Sequence, residues 1–220
     1  MINVGIIGCG GFVRHTHLEN LITDEQFRVQ AAMDVNLDAA EGAAKRSEAA
    51  YWTDKVDRVL EDPEIDMVLI ATPHHTHAEL TIRAAKTGKH VYCEKPMGLS
   101  EEECWAVANA VRDSDVKYAV GYNRSMAPFV RQAREILAPL QAPVLIYHRM
   151  ADWNPYSKGW VLDARRSGGR VVGEGGHGLD MICQLAGHDP VRVYAEGGNL
   201  AEPSPTQTPD SAIITLGFPD

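Results

Sequence analysis

The amino-acid sequence predicts an α/β protein in which a doubly wound parallel sheet is followed by a second domain of the α+β class. Apolar runs rich in Val and Ile alternate with helical patterns as far as Gly121, which is typical of parallel strands joined by crossover helices. A glycine turn follows the first of these runs. After Gly121 the alternation ends and the pattern favours an open mixed or antiparallel sheet, so we expect domains at residues 1–121 and 122–220.

Five apolar runs in the first domain are interpreted as its parallel strands. They are residues 2–7, 27–33, 67–71, 90–93 and 116–120. Helices are indicated between them at residues 36–40, 78–87 and 100–105. The last of these begins with Ser100 and Glu103 at the spacing of a capping box.

The second domain has a less regular pattern. We expect a helix at 128–137, a strand at 144–150, a helix near 174–185, and strands at 191–196 and 211–217 that flank a proline-rich turn. The last strand runs into Phe218-Pro219-Asp220 with no returning partner, so its edge is expected to be exposed. Such an edge predicts either a fragment or a protein that completes this sheet by homo-oligomerisation.

The composition argues against several classes of function. The 220-residue chain has a formal net charge of -9, so binding to nucleic acid or to an anionic membrane is opposed electrostatically. No apolar stretch approaches the roughly 18 residues that span a bilayer, and the N-terminus lacks the features of a signal peptide. The four cysteines lack the spacing of a zinc or disulfide framework. We expect a cytoplasmic protein with reduced thiols and a small-molecule partner.

The turn after the first strand, Gly8-Cys9-Gly10-Gly11-Phe12, has the features of a dinucleotide site. Gly8 permits a tight exit from the strand, and Gly10 leaves the backbone bare for a pyrophosphate at the start of the next helix. Asp34 closes the second apolar run and is placed to receive the ribose hydroxyls of the adenosine half. We predict that Gly8, Gly10, Gly11, Phe12 and Asp34 contact the cofactor.

This turn departs from the G-x-G-x-x-G pattern because Val13 occupies the third glycine position. Two glycines in a strand-to-helix turn can also be explained by sterics alone, and Asp34 is what favours a dinucleotide. The same carboxylate predicts NAD rather than NADP, because it would repel a 2′-phosphate and no arginine follows in Val35-Asn36-Leu37.

A histidine-rich segment, Thr72-Pro73-His74-His75-Thr76-His77, follows the predicted central strand. We expect Thr72, Pro73 and His77 to contact the cofactor. A metal site is the alternative chemistry, but the segment has no acidic or thiolate fourth ligand at suitable spacing, so no metal is expected. The structural alternative is that Pro73 ends the strand, Thr76 caps the next helix and the imidazoles lie on the surface.

Lys95 directly follows another predicted strand, in the segment Cys93-Glu94-Lys95-Pro96. Partial desolvation and a neighbouring cation would lower the pKa of its ammonium group toward neutrality. It could then exchange a proton with a substrate hydroxyl. The alternative is an ordinary ion pair between Lys95 and Glu94.

Several of these segments together resemble the Gfo/Idh/MocA family of nicotinamide oxidoreductases. They are the glycine turn with its acid, Ala71-Thr72-Pro73, Gly88-Lys89-His90-Val91, Glu94-Lys95-Pro96 and Gly121-Tyr122-Asn123-Arg124. The resemblance implies a Rossmann fold for the first domain, with Glu94 and Lys95 at the cofactor. It also implies that the face of the second-domain sheet carries a sugar or cyclitol, which is oxidised at a secondary alcohol with the help of the lysine.

The counterpart in the second domain is Gly173-Glu174-Gly175-Gly176-His177-Gly178-Leu179-Asp180, which resembles the family pattern D-x-G-x-H-x-x-D. His177 and Asp180 match this pattern, whereas its first aspartate is replaced by Gly173. Glu174 could compensate, although a shift of one residue at a helix start turns a side chain by roughly 100°. His177 is the best candidate for the proton acceptor. The alternative is a purely structural pair of His177 with Asp180.

Aromatic and polar side chains in residues 152–160 favour a carbohydrate ligand. Trp153 and Trp160 offer ring faces to the C–H side of a sugar, and polar neighbours offer partners to its hydroxyls. The alternative is a connecting loop whose tryptophans fill the gap over the sheet. The predicted substrate-binding set is Asn123, Arg124, Trp153, Trp160, Glu174 and His177.

These residues predict an NAD-dependent dehydrogenase that acts on a secondary alcohol of a sugar, sugar derivative or cyclitol. Lys95 and His177 would handle the proton while hydride passes to the nicotinamide. Two alternatives stay open: a glycosidase that uses NAD for a transient oxidation, and a non-catalytic dinucleotide-binding regulator, which the replacement at Gly173 would permit.

Overall fold

The computed structural model describes residues 1–140, 142–151, 159–200 and 209–219. The chain divides into two compact units, Met1–Gly121 and Tyr122–Asp220. A six-stranded parallel sheet forms the centre of the first unit, and the second unit combines helices with a two-stranded antiparallel sheet. The predicted fold class is therefore confirmed.

The first unit has the strand order of a Rossmann fold. Its strands are β1 Ile2–Ile7, β2 Phe27–Met33, β3 Tyr51–Thr53, β4 Met67–Ile70, β5 His90–Cys93 and β6 Tyr118–Val120. They are parallel and hydrogen-bonded in the order β3-β2-β1-β4-β5-β6. The chain order reverses between β1 and β4, and doubly wound sheets bind their ligands outside the carboxyl ends of the strands at this position.

Five α-helices connect these strands. They are α1 Leu18–Thr23, α2 Leu37–Ser47, α3 Val56–Leu60, α4 His77–Lys86 and α5 Glu101–Ser114. The side chain of Ser100 caps α5 by accepting a hydrogen bond from the Glu103 amide, at 3.2 Å. The Glu103 carboxylate returns to the amide of Leu99 (2.6 Å), one residue before the partner that a capping box predicts.

The centre of the first-unit sheet is apolar along its length. Val4, Ile6 and Ile7 of β1, with Val68 and Ile70 of β4, are 0% exposed. Near-continuous apolar strands are expected where helices cover both faces of a parallel sheet. Full burial of each such side chain contributes about 1.5–3 kcal/mol, so the strand ends that carry the candidate site extend from a well-packed core.

A buried lysine holds the chain segment that precedes β4. Lys89 is 5% exposed, and its ammonium group donates to the carbonyls of Asp62 at 2.7 Å and Ile65 at 2.9 Å. Burial lowers the pKa of Lys89, while the charges of Asp62 and Asp66 oppose that shift. The lysine of the Gly-Lys-His-Val segment therefore has a structural role in the first unit.

The second unit contains helices α6 Pro128–Leu137, α7 Ala164–Ser167 and α8 Gly176–Ala186, and strands β7 Arg192–Gly198 and β8 Ser211–Gly217. The bounds of α6 and β8 agree with the prediction. β7 and β8 pair antiparallel, with Tyr194 opposite Thr215.

The strand predicted at residues 144–150 was wrong. This segment has no regular secondary structure, and Leu145 and Tyr147 are 97% and 83% exposed. A strand needs a neighbour for its backbone hydrogen bonds. Within the described residues of the second unit, β7 and β8 pair only with each other, so residues 144–150 form no ladder with either strand.

In the described parts of the chain, no helix is both long enough and apolar enough to cross a lipid bilayer.

Candidate active site

The glycine turn lies at the carboxyl end of β1. Gly8 has a φ of 97°, and a Cβ atom added there would lie 2.6 Å from the Ala71 carbonyl oxygen after β4. The Gly8 amide donates to the Met33 carbonyl at the end of β2 (2.8 Å). Only glycine fits both this backbone conformation and this close approach, so Gly8 allows the ends of β1, β2 and β4 to pack together.

Gly10 and Gly11 differ from Gly8 because they face open space. Both are exposed, and a Cβ atom added to either would meet no atom within 4 Å. Phe12, the next residue, is 52% exposed. Bare backbone at the start of a helical segment is the surface that an anionic pyrophosphate requires, and the turn fits the dinucleotide predicted for it.

Asp34 lies against this turn. One carboxylate oxygen accepts the Cys9 amide at 2.7 Å, and the other accepts the Asn36 amide at 2.8 Å. A carboxylate has about four acceptor positions, so Asp34 retains capacity for ribose hydroxyls. The sequence predicted the position of Asp34 but not its bond to the glycine turn.

A wide helical turn of the π type, Val13–His17, begins at the position where the fingerprint has its third glycine. The turn ends at His17, whose Nε2 lies 2.8 Å from Oε1 of Glu94. The His17 ring also packs edge-on against Phe12 and Tyr92, with centroids 5.2 and 5.4 Å away. π turns often occur at functional sites, and the sequence reasoning missed His17.

Glu94 connects three segments at the carboxyl edge of the sheet. Besides His17, its carboxylate accepts the backbone amide of Lys95 at 3.3 Å. A Cβ atom added to Gly121, after β6, would lie 2.9 Å from the same carboxylate. Glu94 therefore orders the Glu-Lys-Pro loop, and Gly121 leaves room for it.

His77 joins the loop after β4 to the loop after β5. Its ring is 0% exposed, with Nδ1 2.7 Å from the Pro96 carbonyl and Nε2 2.9 Å from the Thr72 carbonyl. Burial lowers the pKa of His77, and the two carbonyls and Glu94 partly oppose that shift. His77 was predicted to contact the cofactor. The structure places it between two loops with no exposed ring surface.

The neighbouring threonines bond to each other and not to the helix start. The Thr72 and Thr76 hydroxyls lie 2.6 Å apart, and Thr76 donates to the Pro73 carbonyl at 2.7 Å. Thr76 occupies the N-cap position of α4, but its side chain makes no capping bond. The helix cap expected from its hydroxyl is therefore absent.

The cysteine side chains make none of the contacts described above. Cys9, Cys93, Cys104 and Cys183 are free thiols, as predicted. Burial raises the pKa of both Cys9 and Cys93 to about 12, so these two are protonated at neutral pH. Across the described residues, no group of three or more His, Cys, Asp or Glu side chains is arranged to hold a metal ion.

In the second unit, His177 lies in the first turn of α8 and is 6% exposed. Its ring packs edge-on against Tyr122 at 5.8 Å. A Cβ atom added to Gly176 would lie 2.9 Å from the Tyr122 ring, and one added to Gly178 would lie 2.9 Å from His148. Glycines on both sides of His177 thus allow two aromatic side chains to approach the helix start.

Glu174 faces two arginines of its own unit. Its carboxylate lies 3.9 Å from Arg124 and 3.9 Å from Arg170. Two of the predicted substrate-binding residues, Arg124 and Glu174, therefore lie together. Asn123 is exposed in the turn that begins there, and Trp160 is half-buried in another short turn. Trp153 lies outside the described residues.

Comparison with known families shows to which family the chain belongs. The model of an oxidoreductase family with an NAD-binding Rossmann fold matches residues 2–122, and that of the Gfo/Idh/MocA C-terminal domain matches residues 130–220. The chain belongs to the Gfo/Idh/MocA family. This confirms the resemblance that the sequence motifs indicated, and the Rossmann unit is the NAD-binding part of the family.

Members of the Gfo/Idh/MocA family resemble the chain along its whole length. The oxidoreductase YrbE of Bacillus subtilis is 31% identical, over 99% of this chain and 64% of that protein. The myo-inositol 2-dehydrogenase of Thermotoga maritima is 27% identical, over 99% and 65%. A levoglucosan dehydrogenase solved with NADH and levoglucosan has a TM-score of 0.80 and 26% identity, over 99% of this chain and 64% of that chain. The chain spans less than two thirds of the length of these relatives.

Proposed function

We propose that the chain is part or all of an NAD-dependent dehydrogenase that acts on a secondary alcohol of a sugar, sugar derivative or cyclitol. The observation that carries this proposal is the assembly at one edge of the first-unit sheet. A bare glycine turn, Asp34 and the Glu-Lys-Pro loop occur there together. The relatives named for myo-inositol and levoglucosan supply the substrate class.

The residues of the glycine turn fit an NAD molecule. The amides after Gly10 would bind its pyrophosphate, and Asp34 would accept its ribose hydroxyls. When bound, NAD supplies the hydride acceptor for oxidation of the alcohol. The Asp34 carboxylate, held against the turn by the Cys9 amide, would lie where a 2′-phosphate brings negative charge. NAD is therefore the proposed cofactor in preference to NADP.

Two residues are proposed to handle the proton of the substrate hydroxyl. Lys95 follows β5 at the ligand edge of the sheet, and the Glu94 carboxylate orders its backbone. His177 has an imidazole, whose ordinary pKa lies near working pH, at the start of α8. We propose that loss of either one lowers turnover more than cofactor binding.

Arg124 and Glu174 are proposed to bind other hydroxyls of the substrate. Their side chains lie 3.9 Å apart and both are partly exposed, so each has hydrogen-bonding capacity beyond the pair. Because Glu174 already faces two arginines, we assign it to orientation of the substrate. We do not assign it the proton transfer of the aspartate that Gly173 replaces.

We also propose self-association through the apolar face of the second-unit sheet. On that face Val193 pairs with Leu216 and Ala195 with Ile214, and Val193 is 66% exposed. A second copy could cover these side chains. Light scattering on the chain tests this, and a stable monomer at high concentration would contradict it.

The central experiment is an absorbance screen for NADH formation with sugars, uronic acids and inositols. We expect turnover with NAD and at least one of these alcohols, loss of turnover in Lys95→Ala and His177→Ala, and retained NADH binding in both variants. Equal turnover with NADP would contradict the cofactor assignment. Release of reducing sugar from a glycoside without net NADH would identify a glycosidase. Binding of NADH without turnover of any substrate would favour a regulator.

A further inference from the structure

Two histidines of the first unit hold the residues on either side of Lys95. His17 Nε2 lies 2.8 Å from the Glu94 carboxylate, and His77 Nδ1 lies 2.7 Å from the Pro96 carbonyl. The two histidines come from different elements, since His17 ends the π turn after the glycine turn and His77 begins α4. Lys95 thus lies between two neighbours that are each bound to an imidazole.

We propose that this histidine clamp, defined as His17 and His77, is a positioning device for the ammonium group of Lys95. The clamp fixes the backbone from which the lysine side chain extends. Neither histidine is proposed to contact substrate or cofactor. The inference rests on the proposed function only in that Lys95 is the group whose placement matters for turnover.

The His17 side of the clamp is built to hold one carboxylate in one place. The side chains of His17 and Glu94 are only 13% and 12% exposed, so little water competes for their bond. The acceptor is a carboxylate, so Nε2 of His17 must be the donor, and such charge-assisted bonds are strong. The same carboxylate accepts the Lys95 amide, and the missing side chain of Gly121 leaves room for it.

The His77 side of the clamp acts on the main chain. Both of its partners are carbonyl oxygens, which only accept hydrogen bonds. A neutral imidazole has a single N–H, and the proposed clamp requires the form in which Nδ1 carries it and donates to the Pro96 carbonyl. The ring is 0% exposed, so a buried bond fixes the carbonyl that follows Lys95.

The position of the Lys95 ammonium group should have a measurable effect on turnover. A lysine side chain is long and flexible, so the position of its ammonium group depends on a fixed origin. A misplacement of about 1 Å, even by a change away from the chemistry, can lower turnover about 100-fold. The clamp should therefore affect turnover more than cofactor affinity.

The two histidines use different ring nitrogens, and this allows a test that a purely structural role does not pass. The amide nitrogen of asparagine can take the place of Nδ1, and that of glutamine can take the place of Nε2. His77→Asn and His17→Gln should keep a donor to the residue beside Lys95, whereas His77→Gln and His17→Asn should lose it. Asparagine is therefore the favourable replacement at position 77, and glutamine is the favourable replacement at position 17.

The experiment compares these four variants of the full chain with His75→Gln and His15→Gln. The two control histidines are exposed, and each lies two residues before a clamp residue along the chain. We would measure kcat, KM for NAD, NADH affinity and thermal stability. We would also measure the acylation rate of Lys95 by competitive labelling with acetic anhydride and mass spectrometry.

We expect kcat to fall about tenfold or more in His77→Gln and His17→Asn and clearly less in His77→Asn and His17→Gln, with small changes in KM and in both controls. Lys95 acylation should change in the same order. Equal losses in both variants at each position, tracking thermal stability, would overturn the clamp.

The two proposals can fail separately. If the parent chain turns over no alcohol, the acylation rates alone decide. If Lys95 labelling is preserved by Asn at position 77 and by Gln at position 17, but not by the reverse replacements, this crossed order would support the clamp although the dehydrogenase proposal had failed. A parent chain that turns over substrate without the crossed order in either kcat or labelling would retain the dehydrogenase and reject the clamp.

Discussion

The sheets of the two units differ in how completely they are covered. In the first unit, Val4, Ile6 and Ile7 of β1 are 0% exposed, because helices pack on both faces. In the second unit, Val193 and Tyr194 of β7 are 66% and 64% exposed. Within the described residues, the first sheet buries most of its apolar side chains, whereas the second sheet leaves many of its own in contact with solvent.

This difference shows where the candidate chemistry is best supported. The glycine turn, Asp34 and the Glu-Lys-Pro loop extend from covered strands, and their hydrogen bonds connect the ends of neighbouring strands. A site on a rigid element holds its geometry better than a site on a mobile loop. In the second unit, His177 instead lies at a helix start where two glycines admit neighbouring aromatic rings.

The largest expected effect compares one isoleucine from each sheet. Ile6 is 0% exposed and Ile213 is 74% exposed. Ile6→Ala should lower the free energy of unfolding of the first unit by about 2–5 kcal/mol through the cavity it leaves. Ile213→Ala should change the free energy of unfolding by no more than about 0.5 kcal/mol. Urea unfolding followed by circular dichroism measures both, and similar losses in the two variants would remove the contrast between the sheets.

A second contrast, of intermediate size, lies inside the glycine turn. Gly8→Ala should cost about 1–3 kcal/mol of stability, because its φ is 97° and its Cβ would meet the Ala71 carbonyl at 2.6 Å. Gly10→Ala has open space and should leave the unfolding midpoint unchanged. It should nevertheless weaken NADH binding about tenfold, or about 1.4 kcal/mol, by obstructing the pyrophosphate. Fluorescence titration with NADH measures this, and unaltered affinity in Gly10→Ala would argue against the turn as the cofactor site.

The smallest expected effect is a pH dependence of first-unit stability. Burial lowers the pKa of His77 below its ordinary 6.5 in the folded protein. The unfolded chain therefore binds the proton first as pH falls below about 6.5, and stability is lost from that pH down toward the folded pKa. In urea unfolding at pH 7.5 and 5.5, His77→Gln should show a smaller decrease in midpoint than the parent chain. An identical decrease in both would assign the pH dependence to other groups.

Local sequence patterns predicted the bounds of several elements, although they indicated only the beginnings of α2 and α5. β1, β2, α6 and β8 have the bounds that their apolar patterns and capping residues indicate. Short elements escaped detection: β3 has 3 residues and α3 has 5, too few to show a period. Residues 144–150 show the opposite failure, because a β-like pattern does not specify a partner strand.

The candidate site shows the same division between local and distant effects. Motif spacing correctly indicated that Asp34 lies near the glycine turn. It also indicated that Glu94 lies beside Lys95. It did not indicate that Asp34 bonds to Cys9, 25 residues earlier, or that Glu94 bonds to His17, 77 residues earlier. No local signal pairs residues so far apart. The π turn that ends at His17 occurs at the departure from the glycine fingerprint, and that departure was the one available hint.

The sequence by itself determined the α/β class, the family, the glycine turn and its acid, and the identity of the residues proposed for proton transfer. These follow from periodicity, conformational preference and motif spacing, which are properties of neighbouring residues. Only the tertiary structure decided that His77 is buried, that Glu94 joins three segments and that Glu174 faces Arg124. Such contacts depend on how strands and helices pack, and packing brings together side chains whose separation along the chain carries no information about their meeting.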